Sequence, residues 1–137
     1  MNPITPADVL AALKGLRRRK ASGIDGLLSV FLLDAPSQLA EPIASALSAT
    51  FHSSFPAPPN CQVVHPIFKG KGDPLDPNNY RCLSVSPVLT KLYAMILEAR
   101  LARWAEASSS RAPTQAGFRR NHRTTDHIFT LHTLISQ

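Results

Sequence analysis

Apolar positions recur at helical spacing in several stretches of this chain, and a short β-prone run separates two of them. Val9, Leu13 and Leu16, with Leu10 beside them, lie at helical spacing behind Thr5-Pro6-Ala7-Asp8. Those four residues supply an N-cap, a proline at the first helical position and an acid three residues after the cap. The helix is expected to run on into Arg17, Arg18, Arg19 and Lys20, where cations complement its carbonyl end. Ala21 to Gly26 reads as a tight loop. Leu39, Ile43, Leu47 and Phe51 then recur every four residues, predicting a second amphipathic helix between Ser37 and Ser54 that starts, or restarts, near Pro42. Phe55 to Asn60 breaks it with three prolines. Val63, Val64, Ile67 and Phe68 form a β-prone run interrupted by Pro66, which suits an edge strand. From Gly70 to Asn79 the chain switches to turn-forming Gly, Pro, Asp and Asn, so Tyr80 to Val85 is expected to pair back on Val63 to Phe68. Ser86-Pro87 starts a third helix with Val88, Leu92, Ile96 and Leu89 inward, Arg100 and Arg103 toward its end and Trp104 sealing that end. Ser108 to Ser110 and Pro113 form a loop. A last helix begins near Thr124, with Asp126 in its first turn and Ile128, Leu131 and Ile135 on one face. The predicted fold class is α+β, mostly helical, with a β-hairpin around residues 62–86.

Length and composition narrow the setting. The 137 residues, 44% of them hydrophobic, make one ordinary domain, and the twelve prolines fall mostly between periodic segments, where they punctuate elements. The net charge of +6 favours a polyanionic partner such as nucleic acid. Cys61 and Cys82 fit either free thiols or one bridge between strands, with free thiols favoured. No run reaches the roughly 18 apolar residues of a membrane span, and no charged-then-apolar leader precedes a cleavage site, so a soluble intracellular protein, nuclear or cytoplasmic, with no membrane partner is expected.

The candidate chemistry centres on Lys69 and Arg81. An apolar strand delivers the lysine to its end and the return strand brings the arginine back, so both can approach one anion. Lysine offers a point charge, and arginine a planar fork for phosphate oxygens. Ordinary solvated charges at a hairpin tip fit the same spacing. The basic run Arg17 to Lys20 reads first as helix-end charge, with an RNA contact or an import signal as alternatives compatible with it. Before the last helix, Gln115-Ala116-Gly117-Phe118-Arg119-Arg120-Asn121-His122-Arg123 sets polar and cationic groups around one aromatic, expected to pack in the core, and could grip a sugar-phosphate backbone. Other chemistries find little support. Nucleotidyl transfer needs two divalent cations held about 4 Å apart by carboxylates, and none of the nine acids forms a convincing pair. Asp73 and Asp76 read as turn formers. Cys61, His65, His122, His127 and His132 lack the short paired spacings of a zinc site. No Ser-His-Asp arrangement stands out, and no Walker or dinucleotide-binding glycine pattern occurs.

Taken in order, Lys20-Ala21-Ser22-Gly23-Ile24-Asp25-Gly26, Pro66-Ile67-Phe68-Lys69, Asn79-Tyr80-Arg81 and Gln115-Ala116-Gly117-Phe118-Arg119 with Arg123-Thr124-Thr125-Asp126 form a set. That set resembles the N-terminal fingers part of the reverse transcriptase of non-LTR (LINE-like) retrotransposons, over essentially the whole chain. The resemblance implies a truncated reverse transcriptase domain over residues 1–137, an incomplete polymerase-type fingers/palm region whose catalytic palm is missing. It implies nucleotide binding by Lys69 and Arg81, and template binding by Lys20, Gln115, Arg119 and Arg123. The implied partners are an RNA template, a DNA primer, a dNTP and the missing palm domain; Mg2+ is expected only for the complete enzyme, with no catalytic or metal residue in this chain. The family usually carries proline directly after Asn-Tyr-Arg, and Cys82 stands there instead, which could loosen the return strand by up to ~1 kcal/mol through chain entropy. Two further readings stay open: a non-catalytic basic nucleic-acid-binding module, and a non-functional remnant of a retroelement reading frame.

Overall fold

The computed structural model describes residues 2–52, 61–112, 114–117, 119 and 121–136. Its elements in chain order are α1 (Pro6–Leu13), α2 (Ser29–Asp34), α3 (Pro36–His52), β1 (Val63–Phe68), β2 (Tyr80–Val85), α4 (Val88–Ala107) and α5 (Thr124–Ile135), with a 3-10 turn at Pro77–Asn79. Helix and strand are mixed, so the α+β class holds. The chain divides into two compact units, Met1–Leu97 and Glu98–Gln137. Among the described residues, no helix is long and apolar enough to cross a membrane.

In the first unit, α1 starts as its sequence predicts. The Thr5 hydroxyl accepts the Asp8 amide at 3.2 Å, and the Asp8 carboxylate accepts the Thr5 amide at 3.1 Å, satisfying two otherwise orphaned donors. The end of α1 differs from expectation. The helix stops at Leu13, and the Gly15 and Leu16 amides bond three residues back, tightening the chain so that Leu16 turns into the core. Arg17 to Lys20 therefore lie outside any helix. Arg18 instead pairs with Asp34 at the end of α2 at 2.6 Å, and the buried Ser29 hydroxyl donates to the Arg17 carbonyl at 2.7 Å.

α3 runs unbroken through Pro42, which is exposed, and begins at Pro36. Its buried stripe is Ala40, Ala44 and Leu47, about one position round from the predicted line of Leu39, Ile43, Leu47 and Phe51. The small alanines allow α1 and α3 to approach closely, and the larger Leu39 and Ile43 pack at the flanks. Ser48 fastens the chain entry to α3, accepting the Ile4 amide at 2.8 Å and donating to the Ile4 carbonyl at 3.0 Å. Val88, Leu92 and Ile96 of α4 join Val9, Leu13 and Leu47 in one hydrophobic cluster. Val9, Leu13 and Leu92 are its most completely buried side chains, and burying each stabilises by about 1.5–3 kcal/mol.

β1 and β2 pair antiparallel with Val63 opposite Val85 and Phe68 opposite Tyr80, the expected strand pairing. The Lys69 amide donates to the Asn79 carbonyl at 2.8 Å, making residues 69 and 79 a hydrogen-bonded pair. Alternation then places Pro66 opposite Cys82 in a non-bonded pair, where the amide proline lacks is not needed. Both cysteines are free and exposed.

In the second unit, α4 ends in a Schellman motif. The Ser109 amide donates to the Glu106 carbonyl at 3.3 Å, and the Ser110 amide to the Ala105 carbonyl at 3.2 Å, with Ser109 at a φ of 51°. Trp104 is 61% exposed and does not seal this end as predicted, whereas the adjacent Ala105 is buried. α5 starts at Thr124 as expected, with Asp126 accepting the Arg123 amide at 2.8 Å. The predicted core role of Phe118 lies outside the described residues, as do Arg120 and the proline-rich break at 55–60.

Candidate nucleic-acid interface

The hairpin tip is braced by its own polar groups. Asp73 accepts the Leu75 amide at 2.9 Å and Asp76 accepts the Asn78 amide at 2.9 Å, so both acids form turns. Gly70 and Gly72 have φ of 75° and 83°, and a Cβ on Gly72 would strike the Asn79 side chain. Asn79 Nδ2 donates to the Asp73 carbonyl at 2.9 Å, and the Tyr80 hydroxyl to the Pro74 carbonyl at 2.9 Å. Phe68 and Tyr80 close the wider end of the loop with ring centroids 5.5 Å apart.

The register settles which cations share a face. Ile67 lies directly opposite Arg81, and residue 69 lies two positions along from 67, so the pleat puts Lys69 and Arg81 on one face as diagonal neighbours. Lys69 Nζ donates one hydrogen bond, at 2.8 Å, to the Asn78 carbonyl, which holds the ammonium at the tip with donors to spare.

Lys20 is exposed and leads into a loop seated close to the base of the hairpin. A Cβ on Gly23 would lie 2.6 Å from the Pro87 nitrogen and 3.0 Å from the Ser86 carbonyl carbon, so only glycine allows this approach. Asp25 accepts the Leu27 amide at 3.2 Å, and Gly26, at a φ of 68°, completes the turn. Gly23 thus seats the loop at the base of the hairpin, while Lys69 and Arg81 lie toward its tip.

In the second unit Gln115 is exposed, with its amide bonded to the Ala112 carbonyl at 3.0 Å. Arg123 is exposed at the start of α5. Arg119 is held differently: Nε donates to Glu106 Oε1 and Nη2 to Glu106 Oε2, each at 3.0 Å, a two-pronged ion pair. Arg111 Nη1 adds a third bond to Oε1 at 3.2 Å. The Arg119 hydrogen bonds, helped by the nearby Arg111 charge, hold the Glu106 carboxyl below its usual pKa against a smaller opposing effect of desolvation. Sequence reading missed Glu106 and Arg111. The partners are 13 residues apart in one pair and five in the other, and a serine-rich turn must form before either meets.

Among the described residues, no three His, Cys, Asp or Glu side chains gather to hold a cation. Asp25, Asp73 and Asp76 form turns, Asp8 and Asp126 cap helices, and Asp34 and Glu106 pair with arginines. No protein-family model matches the sequence, and no curated protein matches it.

Proposed function

We propose that this chain serves as the template- and nucleotide-holding part of an RNA-directed DNA polymerase of the non-LTR retrotransposon kind, binding RNA template, DNA primer and dNTP while a palm domain supplies the chemistry. The observation that carries the reading is the shared face of Lys69 and Arg81 at a hairpin tip braced by its own turn. A triphosphate offers several anionic oxygens within the reach of both, the lysine as a point charge and the arginine as a fork. The ordered motifs and the net charge of +6 support the same reading. On this reading Lys20, Gln115, Arg119 and Arg123 face template, and the isolated chain does not extend a primer.

The test uses a complete polymerase that carries this segment. Lys69→Ala and Arg81→Ala each raise the dNTP KM by about tenfold, the loss of one charge-assisted contact in a solvent-exposed site, while template affinity is kept. An unchanged KM in both variants removes the assignment. A basic module without catalysis would show salt-dependent RNA binding with no effect of either variant on nucleotide use.

A further inference from the structure

The end of α4 and the segment after it carry a charge arrangement beyond what the nucleotide clamp requires. Two guanidiniums converge on the single carboxylate of Glu106, so the cluster retains one uncompensated positive charge. Their side chains are 20% and 22% exposed, whereas that of Glu106 is 43% exposed, so the arginines are more enclosed than the acid that aligns them. A guanidinium has five N–H donors; Arg119 spends two on Glu106 and Arg111 one, which leaves both able to bind a second anion. Arg111, Arg119 and His122 line an open concavity of about 410 Å³ together with Ala105, Glu106 and Ser109. Such a volume admits a phosphate group, and its openness lets a chain enter and leave.

We infer that Arg111, Arg119 and His122 form a binding site for one backbone phosphodiester of nucleic acid. A phosphodiester carries one negative charge, which balances the one left over beside Glu106. Arginine forks match phosphate oxygens in two places, and the imidazole of His122 offers a further N–H. Glu106 holds both guanidiniums in place before the phosphate arrives, so less side-chain freedom is lost on binding. The inference rests on the reading that this chain handles nucleic acid and adds to it Arg111 and His122, with Glu106 as the residue that positions the arginines.

The experiment is anisotropy of a labelled 12-nucleotide single-stranded RNA titrated with the full chain at several chloride concentrations. Arg111→Gln is expected to flatten the slope of log K against log salt by about 0.7, the contribution of one phosphate contact on a single strand, and to weaken binding about five- to tenfold near 0.1 M salt. Arg111→Lys keeps the charge and therefore the slope, but loses the fork and binds two- to fivefold more weakly. Wild-type binding with an Arg111→Gln slope unchanged overturns this site and leaves the broader reading standing; so does Arg111→Lys binding at full wild-type affinity, which decides the matter if the glutamine variant does not fold. Absence of RNA binding by the wild-type chain defeats both. Complete displacement of the RNA by low-millimolar inorganic phosphate at matched ionic strength identifies a free-phosphate site and overturns the assignment to a nucleic-acid backbone.

Discussion

Leu92 and Leu134 both stand on helices with apolar residues at helical spacing, yet Leu92 is fully buried and Leu134 is 65% exposed. Around Leu92, α1, α3 and the first half of α4 contribute to one cluster, and alanines at positions 40 and 44 let the helices come close. Around Leu134 the apolar face of α5, with Ile128, Leu131 and Ile135, has no buried residue at all. The hairpin belongs with α5 in this respect: Val64, Ile67 and Leu83 are each about half exposed. Periodicity creates a face, and a second element must cover that face before it stabilises anything.

The largest effect that tests this contrast is Leu92→Ala, expected to cost about 2–5 kcal/mol by opening a cavity in the packed cluster, read as a drop in melting temperature or denaturant midpoint. Leu134→Ser is the paired control and is expected to change stability by less than about 0.5 kcal/mol. Equal losses at the two positions would break the comparison. Next comes Gly23→Ala, where the new Cβ meets backbone at Ser86 and Pro87 that cannot rotate away; a loss of about 1–3 kcal/mol by overpacking is expected in the same measurement. In the second unit, Ser109→Gly is expected to gain about 0.5–1 kcal/mol, because the αL position at the end of α4 penalises a side chain and suits glycine. The smallest effect is acid sensitivity. Glu106 has a lowered folded pKa, so its ion pairs with Arg119 and Arg111 contribute fully above the ordinary carboxylate value of 4.5 and are lost as pH falls through the folded value below it. Arginine Nε–H resonances followed from pH 6 downward check this; no change in the Arg119 signal anywhere below pH 4.5 contradicts the pairing.

The strand pairing was legible in the sequence because a β-prone run, a proline that suits an edge strand and a glycine- and proline-rich turn are all local signals, and they agree on the pairing of Val63–Phe68 with Tyr80–Val85. The cap at Thr5 and the start of α5 were legible for the same reason. The end of α1 was not. Four cations after Leu16 look like a helix terminus, but Gly15 and the tightened turn before it stop the helix early, and the Arg18–Asp34 pair forms across 16 residues. Trp104 was misread because an aromatic near a helix end carries no information about which face its neighbours cover.

By itself, then, the sequence determined the local elements, the turn chemistry at the hairpin tip and the basic character of the chain, since capping, glycine conformation and charge depend on residues close together along the backbone. Tertiary structure alone decided which face of α3 is buried, that Gly23 must be bare beside Pro87, and that Glu106 gathers Arg111 and Arg119. Those outcomes depend on packing and on charges that meet only after the chain has turned back on itself, and no local pattern encodes such meetings.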